Sequence, residues 1–308
     1  MLPSGAQVQP LGDGRTAVLA RTPALGAGLL DGSILPDHPA TAAGAAADEG
    51  IVLDNGLLRV TVDGDGLVSS VRDLVAGRDV LVPGQRANLL RLHPDHPNHW
   101  DAWDIDKHYR RSGTDLTGAD SVELVEEGPL RAAVRVVRSF GKSRIVQELR
   151  LAAGSRQLDI DTEVDWQESE KVLKAAFPLD VHAERSTAEI QFGHVHRATH
   201  DNTGWDAARF EICAHRWLRV AEPGYGVAVL NDSTYGHEVT RTPHEAGLGT
   251  TVRLTLLRAP HSPDPHTDLG THRFRYALAP GAEVVDAVRE GSRSICRCGP
   301  RWPPPCRR

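Results

Sequence analysis

Two tryptophans and two aspartates stand close together in a polar stretch of the sequence. The stretch reads Trp100-Asp-Ala-Trp-Asp104 and follows a proline-broken segment with three histidines, residues 93–99. Proteins hold sugars by stacking indole rings on their C–H faces, while carboxylates accept hydrogen bonds from their hydroxyl groups. The pattern predicts a sugar-facing loop with four contact residues: Trp100, Asp101, Trp103 and Asp104. The alternative is that a tryptophan plugs the end of the core and the two aspartates cap turns.

A second concentration of reactive side chains lies between residues 193 and 232, which hold four histidines and two tryptophans in a chain that is only 5% aromatic. Its loop predicts further sugar contacts from His200, Asn202, Trp205 and Asp206. His194 and His196 share one face of a strand, and with His200 they could approach a zinc ion. Such sets arise by chance among fifteen histidines, and we see no carboxylate placed to orient them, so we expect no metal here.

A third polar loop joins two strand-like runs between residues 258 and 272. It contributes candidate sugar contacts from Arg258, Asp264, Asp268 and His272. Arginine is a multi-donor clamp that can grip vicinal hydroxyl groups. The alternative is that Asp264 and Asp268 start turns beside neighbouring prolines. Both interpretations stay open for each of these residues.

Four ordered motifs resemble the C-terminal region of the α-mannosidases of glycoside hydrolase family 38, in the branch with the cytosolic and vacuolar enzymes. The resemblance covers roughly residues 51–291. The motifs read Trp100-Asp-Ala-Trp-Asp-Ile105, His200-Asp-Asn-Thr-Gly-Trp-Asp206 with Gly224-Tyr-Gly-Val-Ala-Val-Leu-Asn-Asp232, Leu254-Thr-Leu-Leu-Arg-Ala-Pro260 and Thr271-His-Arg-Phe-Arg-Tyr-Ala-Leu278.

The resemblance implies a retaining glycosidase that removes terminal α-mannose from glycans or oligosaccharides, in which one carboxylate attacks the anomeric carbon and another protonates the leaving oxygen. In the family a zinc ion also binds the sugar. The resemblance places these groups in an N-terminal catalytic domain, which would be this chain's partner. We therefore expect no catalytic residue, no cofactor and no hydrolase activity in this chain alone, and a mannose-containing oligosaccharide as ligand.

Two other functional classes stay open at this point. A stand-alone carbohydrate-binding or scaffold module would need only the tryptophan and aspartate loops. An aldose mutarotase would need a histidine and a carboxylate facing each other across an open sheet. His194 or His196 could supply the histidine, and the sequence does not indicate the carboxylate.

Alternating apolar and polar residues predict the elements that position these loops. In residues 158–166, Leu158, Ile160 and Val164 alternate with acidic residues that we expect to form a solvated sheet face. Similar runs separated by glycine, proline and aspartate predict an all-β, antiparallel sandwich. The resemblance implies the large β-supersandwich related to galactose mutarotases.

The two ends of the chain differ from this middle. Residues 1–50 are interpreted as the remnant of a preceding small β domain, with a strand at Arg15–Arg21, a turn at Pro23–Gly26 and an Ala-rich linker at Thr41–Glu49. Residues 51–291 form the predicted sandwich. Residues 292–308 leave the family pattern, and their Pro, Arg and Cys content predicts a disordered tail.

Composition excludes several other classes. A net charge of −6 and a pI near 6.2 give no electrostatic reason to expect nucleic acid as partner. No apolar run approaches the length of about 20 residues that a membrane helix needs, and no secretory signal is visible, so we expect a cytoplasmic protein without a membrane partner. Four cysteines predict no disulfide framework, and Cys213 is expected to be a small buried side chain.

Overall fold

The structure is a computed structural model that describes residues 8–12, 14–19, 35–44 and 50–295. Strands dominate these residues, and all the strand pairings among them are antiparallel. The predicted all-β class is therefore confirmed. The turn expected at residues 23–26 lies outside the described residues.

Two small sheets come first along the chain. A hairpin pairs β1 (Val8–Pro10) with β2 (Thr16–Val18), which confirms the strand expected near Arg15. A five-stranded sheet follows in chain order and consists of β3 (Thr41–Gly44), β4 (Ile51–Asp54), β5 (Leu58–Val62), β6 (Val68–Asp73) and β7 (Arg78–Asp79).

Two larger sheets form the body of the sandwich. In spatial order the six-stranded sheet contains β17 (Ile212–Cys213), β20 (Gly236–His244), β21 (Gly247–Arg258), β14 (Lys171–Leu179), β8 (Leu89–Pro94) and β9 (Thr114–Asp115). The nine-stranded sheet contains β10 (Ser121–Glu127), β11 (Arg131–Phe140), β12 (Ser143–Ala152), β13 (Leu158–Trp166), β22 (Gly270–Pro280), β19 (Tyr225–Asn231), β18 (Trp217–Glu222), β15 (Arg185–Ile190) and β16 (Gly193–Ala198).

One apolar core joins these layers. Val60 of the five-stranded sheet, Ile160 of the nine-stranded sheet and Phe177 of the six-stranded sheet belong to a single cluster of buried side chains. The alternation in β13 produces this arrangement, because every second residue of a strand points to the same face. Leu158, Ile160 and Val164 accordingly lie inside the sandwich.

Short helical segments interrupt the strands at three places. The 3-10 helix η1 (Lys107–Arg111) precedes β9, α1 (Gly204–Ala208) precedes β17, and α2 (Val284–Ile295) follows β22. Ala287 of α2 is buried in a second apolar cluster that contains Trp217 and Leu230 on the outer face of the nine-stranded sheet. None of the described helices is long and apolar enough to span a bilayer.

Several sequence-based expectations about the chain ends are wrong. Thr41–Gly44 is a strand and not a linker, because its backbone pairs with β4. Disorder from residue 292 is wrong for residues 292–295, which continue α2; residues 296–308 lie outside the described residues. The helix was missed because its buried stripe contains small residues, Ala287 and Gly291, which give a weak apolar period.

Two expectations about individual side chains in the sandwich are also wrong. Asp159 is not a fully solvated member of the acidic row on β13, since it is half-buried near α2. Cys213 is exposed and has a free thiol, because β17 is a two-residue strand at the edge of its sheet.

Candidate functional site

The loop between β8 and η1, residues 95–106 and here called the Trp loop, presents two indoles to solvent. Trp100 is 72% exposed and Trp103 is 74% exposed. A tight turn carries them, in which the carbonyl of Trp100 accepts hydrogen bonds from the backbone N–H groups of Trp103 at 2.7 Å and Asp104 at 2.8 Å. Trp100 has a φ of 58°, a left-handed backbone that is costly for a large side chain. The backbone at Trp100 is therefore strained in the same turn that exposes the two indole rings.

Arg258 holds the Trp loop from the end of β21. Its Nε donates to Asp95 Oδ2 at 2.5 Å, and its Nη2 donates to the carbonyls of Asp101 at 2.9 Å and Asp104 at 2.5 Å. The Asp95 carboxylate is buried and pairs with this guanidinium. Several donors of Arg258 are therefore engaged in positioning a neighbouring loop, which is a different role from the sugar clamp suggested by residue type.

The predicted aspartates in and beside the Trp loop cap turns in the structure. Asp101 Oδ2 accepts hydrogen bonds from the backbone N–H groups of His261 and Ser262, both at 2.8 Å, and so ties the Trp loop to residues 258–269, here called the 258–269 loop. Asp104 Oδ1 accepts from the N–H of Ile105 at 2.8 Å. The geometry matches the alternative interpretation of Asp101 and Asp104 and leaves the two indoles exposed.

Residues 264–272 show the same internal pairing. Asp264 Oδ1 accepts from the N–H of His266 at 2.9 Å. His272 Nε2 lies 2.7 Å from the carbonyl oxygen of Asp268, and Asp268 has a φ of 61°. The imidazole of His272 also stacks on the ring of Phe274 with a centroid distance of 6.1 Å. The structure thus places Asp264 and Asp268 in a loop that is largely fixed by its own contacts, and His272 on β22 beside it.

The second predicted loop, residues 200–211 and here called the α1 loop, is built around an N-capped turn of helix. Thr203 Oγ1 accepts from the N–H of Asp206 at 3.1 Å and donates to its Oδ2 at 2.7 Å. The imidazole of His200 lies 3.6 Å from the same carboxylate. Trp205 is 80% exposed, and Asn202 is exposed beside it. In this loop the Thr203 hydroxyl caps the helix, the Asp206 carboxylate pairs with that hydroxyl, and the indole of Trp205 stays exposed.

The structure does not assemble the three histidines considered for zinc. His194 and His196 lie side by side on β16 with ring centroids 5.2 Å apart, whereas His200 pairs with Asp206 in the α1 loop. Within residues 8–12, 14–19, 35–44 and 50–295, no group of three or more His, Cys, Asp or Glu side chains is placed to hold a metal ion.

Contacts below the loops bring the Trp loop and the α1 loop together. Arg110 of η1 donates from Nη2 to the carbonyl of Phe210 at 2.6 Å, and its guanidinium lies 5.4 Å from the centre of the Phe210 ring. The Trp loop leads directly into η1, and Phe210 directly follows α1. The Trp loop, the 258–269 loop and the α1 loop are therefore connected, and we call the three together the rim.

A buried cluster of charged and polar groups lies beneath this junction. Lys174 of β14 is fully buried, and its Nζ lies 2.5 Å from Glu211 Oε1 and 3.8 Å from Glu238 Oε2. The hydroxyl of Tyr109 lies in hydrogen-bond contact with Glu211 and 2.7 Å from Glu238 Oε2. The ammonium group also lies 5.0 Å from the centre of the Tyr109 ring.

Electrostatics in this cluster favour the charged form of Glu238. Burial alone would raise the pKa of Glu238, but the positive charges of Arg253, Lys174 and Arg110 outweigh burial and hold this pKa below its ordinary value. Burial and the two neighbouring carboxylates raise the pKa of Tyr109, so that its hydroxyl keeps its proton. Arg253 Nη1 lies 3.2 Å from Glu238, and Arg110 Nε lies 2.9 Å from it.

Sequence reasoning missed this cluster, although one signal was present. Lys174 stands in a run of apolar residues that ends at Leu179, and a lysine inside a buried strand requires a carboxylate partner. The identity of the partners could not be derived, because Glu211 and Glu238 are distant in sequence and meet Lys174 only through the sheet order.

A groove of about 820 Å³ lies elsewhere, on the outer face of the nine-stranded sheet. Its charged side chains form cross-strand ion pairs, among them Arg135 with Glu148 at 2.7 Å and Arg275 with Asp232 at 2.6 Å. The described residues that line it include no histidine. A mutarotase would need a histidine facing a carboxylate across such a sheet, so this groove does not favour that alternative.

The antiparallel sheets and their shared core define the class of fold, a large β-supersandwich. Residues 53–266 match the family model described as the glycosyl hydrolases family 38 C-terminal domain. The chain therefore belongs to glycosyl hydrolase family 38 and contains its C-terminal domain.

Relatives and solved structures agree with this assignment. The chain is 40% identical over 249 residues to alpha-mannosidase 2C1 of Homo sapiens, which covers 80% of the chain and 23% of that protein. It is 33% identical over 258 residues to alpha-mannosidase of Saccharomyces cerevisiae, covering 79% of the chain and 23% of that protein. A family 38 protein from Enterococcus faecalis superposes with a TM-score of 0.64 at 16% identity, covering 82% of the chain and 33% of that structure. The chain thus spans less than a quarter of the length of these mannosidases.

Proposed function

We propose that this chain serves as the C-terminal domain of a retaining α-mannosidase and that its rim contacts a mannose-containing glycan. The observation that carries the proposal is the display of Trp100, Trp103 and Trp205 on loops whose polar groups are engaged with one another. Indoles stack on sugar rings, and fixed loops reduce the entropy lost on binding. The names of the relatives supply the sugar, mannose.

We further propose that the chemistry itself requires a separate N-terminal catalytic domain. Retaining hydrolysis needs two carboxyl groups about 5–5.5 Å apart, one of which acts as nucleophile. The rim aspartates Asp101 and Asp104 cap turns, and the Asp206 carboxylate pairs with the Thr203 hydroxyl that caps α1. In support, the family resemblance implies that zinc and both catalytic carboxylates belong to that other domain, and the relatives are long enough to contain it. We keep the cytoplasm as the proposed location.

A direct assay tests whether the chain alone has hydrolase activity. The purified 308-residue chain is incubated with para-nitrophenyl α-mannoside, with and without added zinc. We expect no release of nitrophenol above the buffer rate, because the proposal assigns the nucleophile, the acid and the zinc ion to the N-terminal domain. Zinc-dependent release that persists through further purification would show that the chain is itself a hydrolase.

A binding experiment tests the rim. We expect α-mannotriose to change the tryptophan emission of the chain, and Trp100→Ala and Trp103→Ala each to weaken this binding about fivefold to tenfold, the loss expected for one stacking contact of about 1 kcal/mol. Phe192→Ala is the matched control, since this fully exposed aromatic side chain lies at the turn between β15 and β16, outside the rim.

The alternatives give different results in the same experiments. A scaffold without sugar affinity would leave the emission unchanged at millimolar mannotriose. A mutarotase would speed the change in optical rotation of freshly dissolved mannose or galactose, which polarimetry detects.

A further inference from the structure

Lys174 is the centre of contacts that join five separate parts of the chain. It lies on β14, and its partners come from the residues before β17 (Glu211), from β20 (Glu238) and from η1 (Tyr109). Arg253 of β21 completes the set through Glu238. A single fully buried ammonium group thus touches or neighbours every segment that supports the junction of the Trp loop and the α1 loop.

The charges of this cluster depend on one another. Two carboxylates, Glu211 and Glu238, lie within reach of one tyrosine hydroxyl, which has a single proton to donate. A buried carboxylate without a counter-charge is strongly unfavourable. Lys174 is the cation that contacts both, and Glu238 keeps Arg110 and Arg253 as counter-charges when Lys174 is removed. Removal of Lys174 therefore deprives Glu211 of its ion pair at the place where η1 meets the segment after α1.

We propose that Lys174 is a positioning residue that locks the Trp loop and the α1 loop into one surface, so that their three indoles are presented to the glycan in a fixed relative arrangement. This inference rests on the proposed function for its ligand. The lock itself rests on the contacts. The 258–269 loop belongs to the same unit through Arg258 and Asp101, which attach it to the Trp loop.

The cluster lies outside the apolar core, so Lys174 does not contribute to the packing of that core. The apolar core lies on the other face of β14, where Leu173, Ala175 and Phe177 are buried. Lys174 points to the opposite face, which η1 and the residues after α1 cover. Loss of Lys174 should therefore loosen η1 and the residues after α1, while the sandwich below them stays folded.

Hydrogen exchange measured by mass spectrometry tests the lock on the full chain. In Lys174→Met we expect amides of residues 96–113 and 200–213 to exchange at least tenfold faster, while amides of β12 and β13 stay within twofold of the unsubstituted chain. Lys171→Met is the matched control, because Lys171 lies on the same strand with an exposed side chain paired to Glu168. We expect it to leave exchange in both segments unchanged.

A compensating substitution distinguishes charge from shape. Lys174→Met combined with Glu211→Gln removes one of the two carboxylates, and we expect it to restore exchange in both segments to within about threefold. A role based only on the volume of the lysine would give no such rescue. If Lys174→Met does not fold, Tyr109→Phe decides, since it keeps the ammonium group, and we expect it to speed exchange in the same two segments at least threefold.

Three results would overturn the lock: faster exchange in only one of the two segments, an equal increase across β12 and β13 in a folded variant, or no increase at all. Titration with α-mannotriose is made on the same samples. Faster exchange in both segments with no sugar binding by the unsubstituted chain would support the lock and contradict the proposed function, so the two failures are distinguishable.

Discussion

Arg258 shows how residue type can suggest one role and the surroundings impose another. Arginine is suited to gripping hydroxyl groups, yet this guanidinium binds a buried carboxylate and two backbone carbonyls. Asp101 likewise accepts hydrogen bonds from two backbone N–H groups, and the Asp206 carboxylate accepts one from the Thr203 hydroxyl. At the scale of the residue, the sequence indicates which positions belong to the loops, and only the geometry shows which side chains remain free to bind.

The ionisation of Asp159 should make the stability of the folded chain depend on pH. Burial raises its pKa to about 6, Asp161 and Glu290 add to the rise, and Gln157 and Arg150 oppose it. The folded chain therefore binds this proton more tightly than the unfolded chain, and the ionised carboxylate destabilises the fold above about pH 6. We expect Asp159→Asn to raise the free energy of unfolding by about 1–2 kcal/mol at pH 8. The gain should shrink as the pH falls through 6 and vanish near pH 4.

Urea unfolding at pH 4, 6 and 8 measures this effect. Asp165→Asn is the matched control, because Asp165 lies on the same face of β13 and is exposed. A gain from Asp159→Asn that is the same at all three pH values would mean that ionisation of Asp159 is not its cause.

The loops could be located from the sequence because their signals are local. Tryptophan and aspartate between proline and glycine residues predict a polar loop, and Trp100, Trp103 and Trp205 are indeed exposed on loops. Lys174 and its partners could not be assigned, because their contacts join residues far apart in the chain and depend on the order of strands in the sheet. Alternation predicts that a strand has a buried face but not which strand lies beside it.

At the scale of the element, α2 depends on one glycine. A Cβ atom at Gly291 would lie 3.2 Å from Arg216 Cβ and 3.2 Å from Trp217 Cδ1, so the helix approaches the sheet closely at this point. Arg216 Nη1 also donates to Ser292 Oγ at 3.0 Å, and Ala287 is buried below the helix. Small residues thus replace the bulky apolar stripe that usually marks a packed helix.

We expect Gly291→Leu to displace α2 and lower the free energy of unfolding by about 1–3 kcal/mol, the cost of overpacking a close contact. Urea unfolding measures the loss, and limited proteolysis shows whether cleavage begins within residues 284–295. Arg289→Leu is the matched control, because its side chain is exposed on the same helix. Equal losses from both substitutions would mean that the helix does not depend on the close approach at residue 291.

At the scale of the whole molecule, the five-, six- and nine-stranded sheets share one apolar core. Val60, Ile160 and Phe177 come from different sheets and belong to the same cluster. Unfolding of one sheet would therefore expose the buried apolar side chains of the other two. We therefore expect residues 35–295 to unfold in urea as a single cooperative unit, with coincident transitions in far-UV and near-UV circular dichroism. Two separated midpoints would show that one sheet unfolds independently.

The sandwich as a whole was the most predictable feature, because period-two alternation recurs in strand after strand, as in β5 and β13. Its limits were less predictable. Thr41–Gly44 lacks large apolar residues and becomes a strand through its neighbour β4, and α2 is held by a close fit at Gly291. Both the pairing of Thr41–Gly44 and the close fit at Gly291 depend on tertiary contacts, which cannot be predicted from composition.

The capped loops of the rim have an evolutionary consequence. Because Asp101, Thr203 and Arg258 satisfy the backbone groups that shape these loops, the architecture of the rim does not depend on the identity of its outermost side chains. Positions 100, 103 and 205 can therefore be exchanged among aromatic, polar or small residues with little loss of stability. Under the proposed function, substitutions at these three positions would alter which glycans a lineage prefers while the scaffold beneath them stays constant.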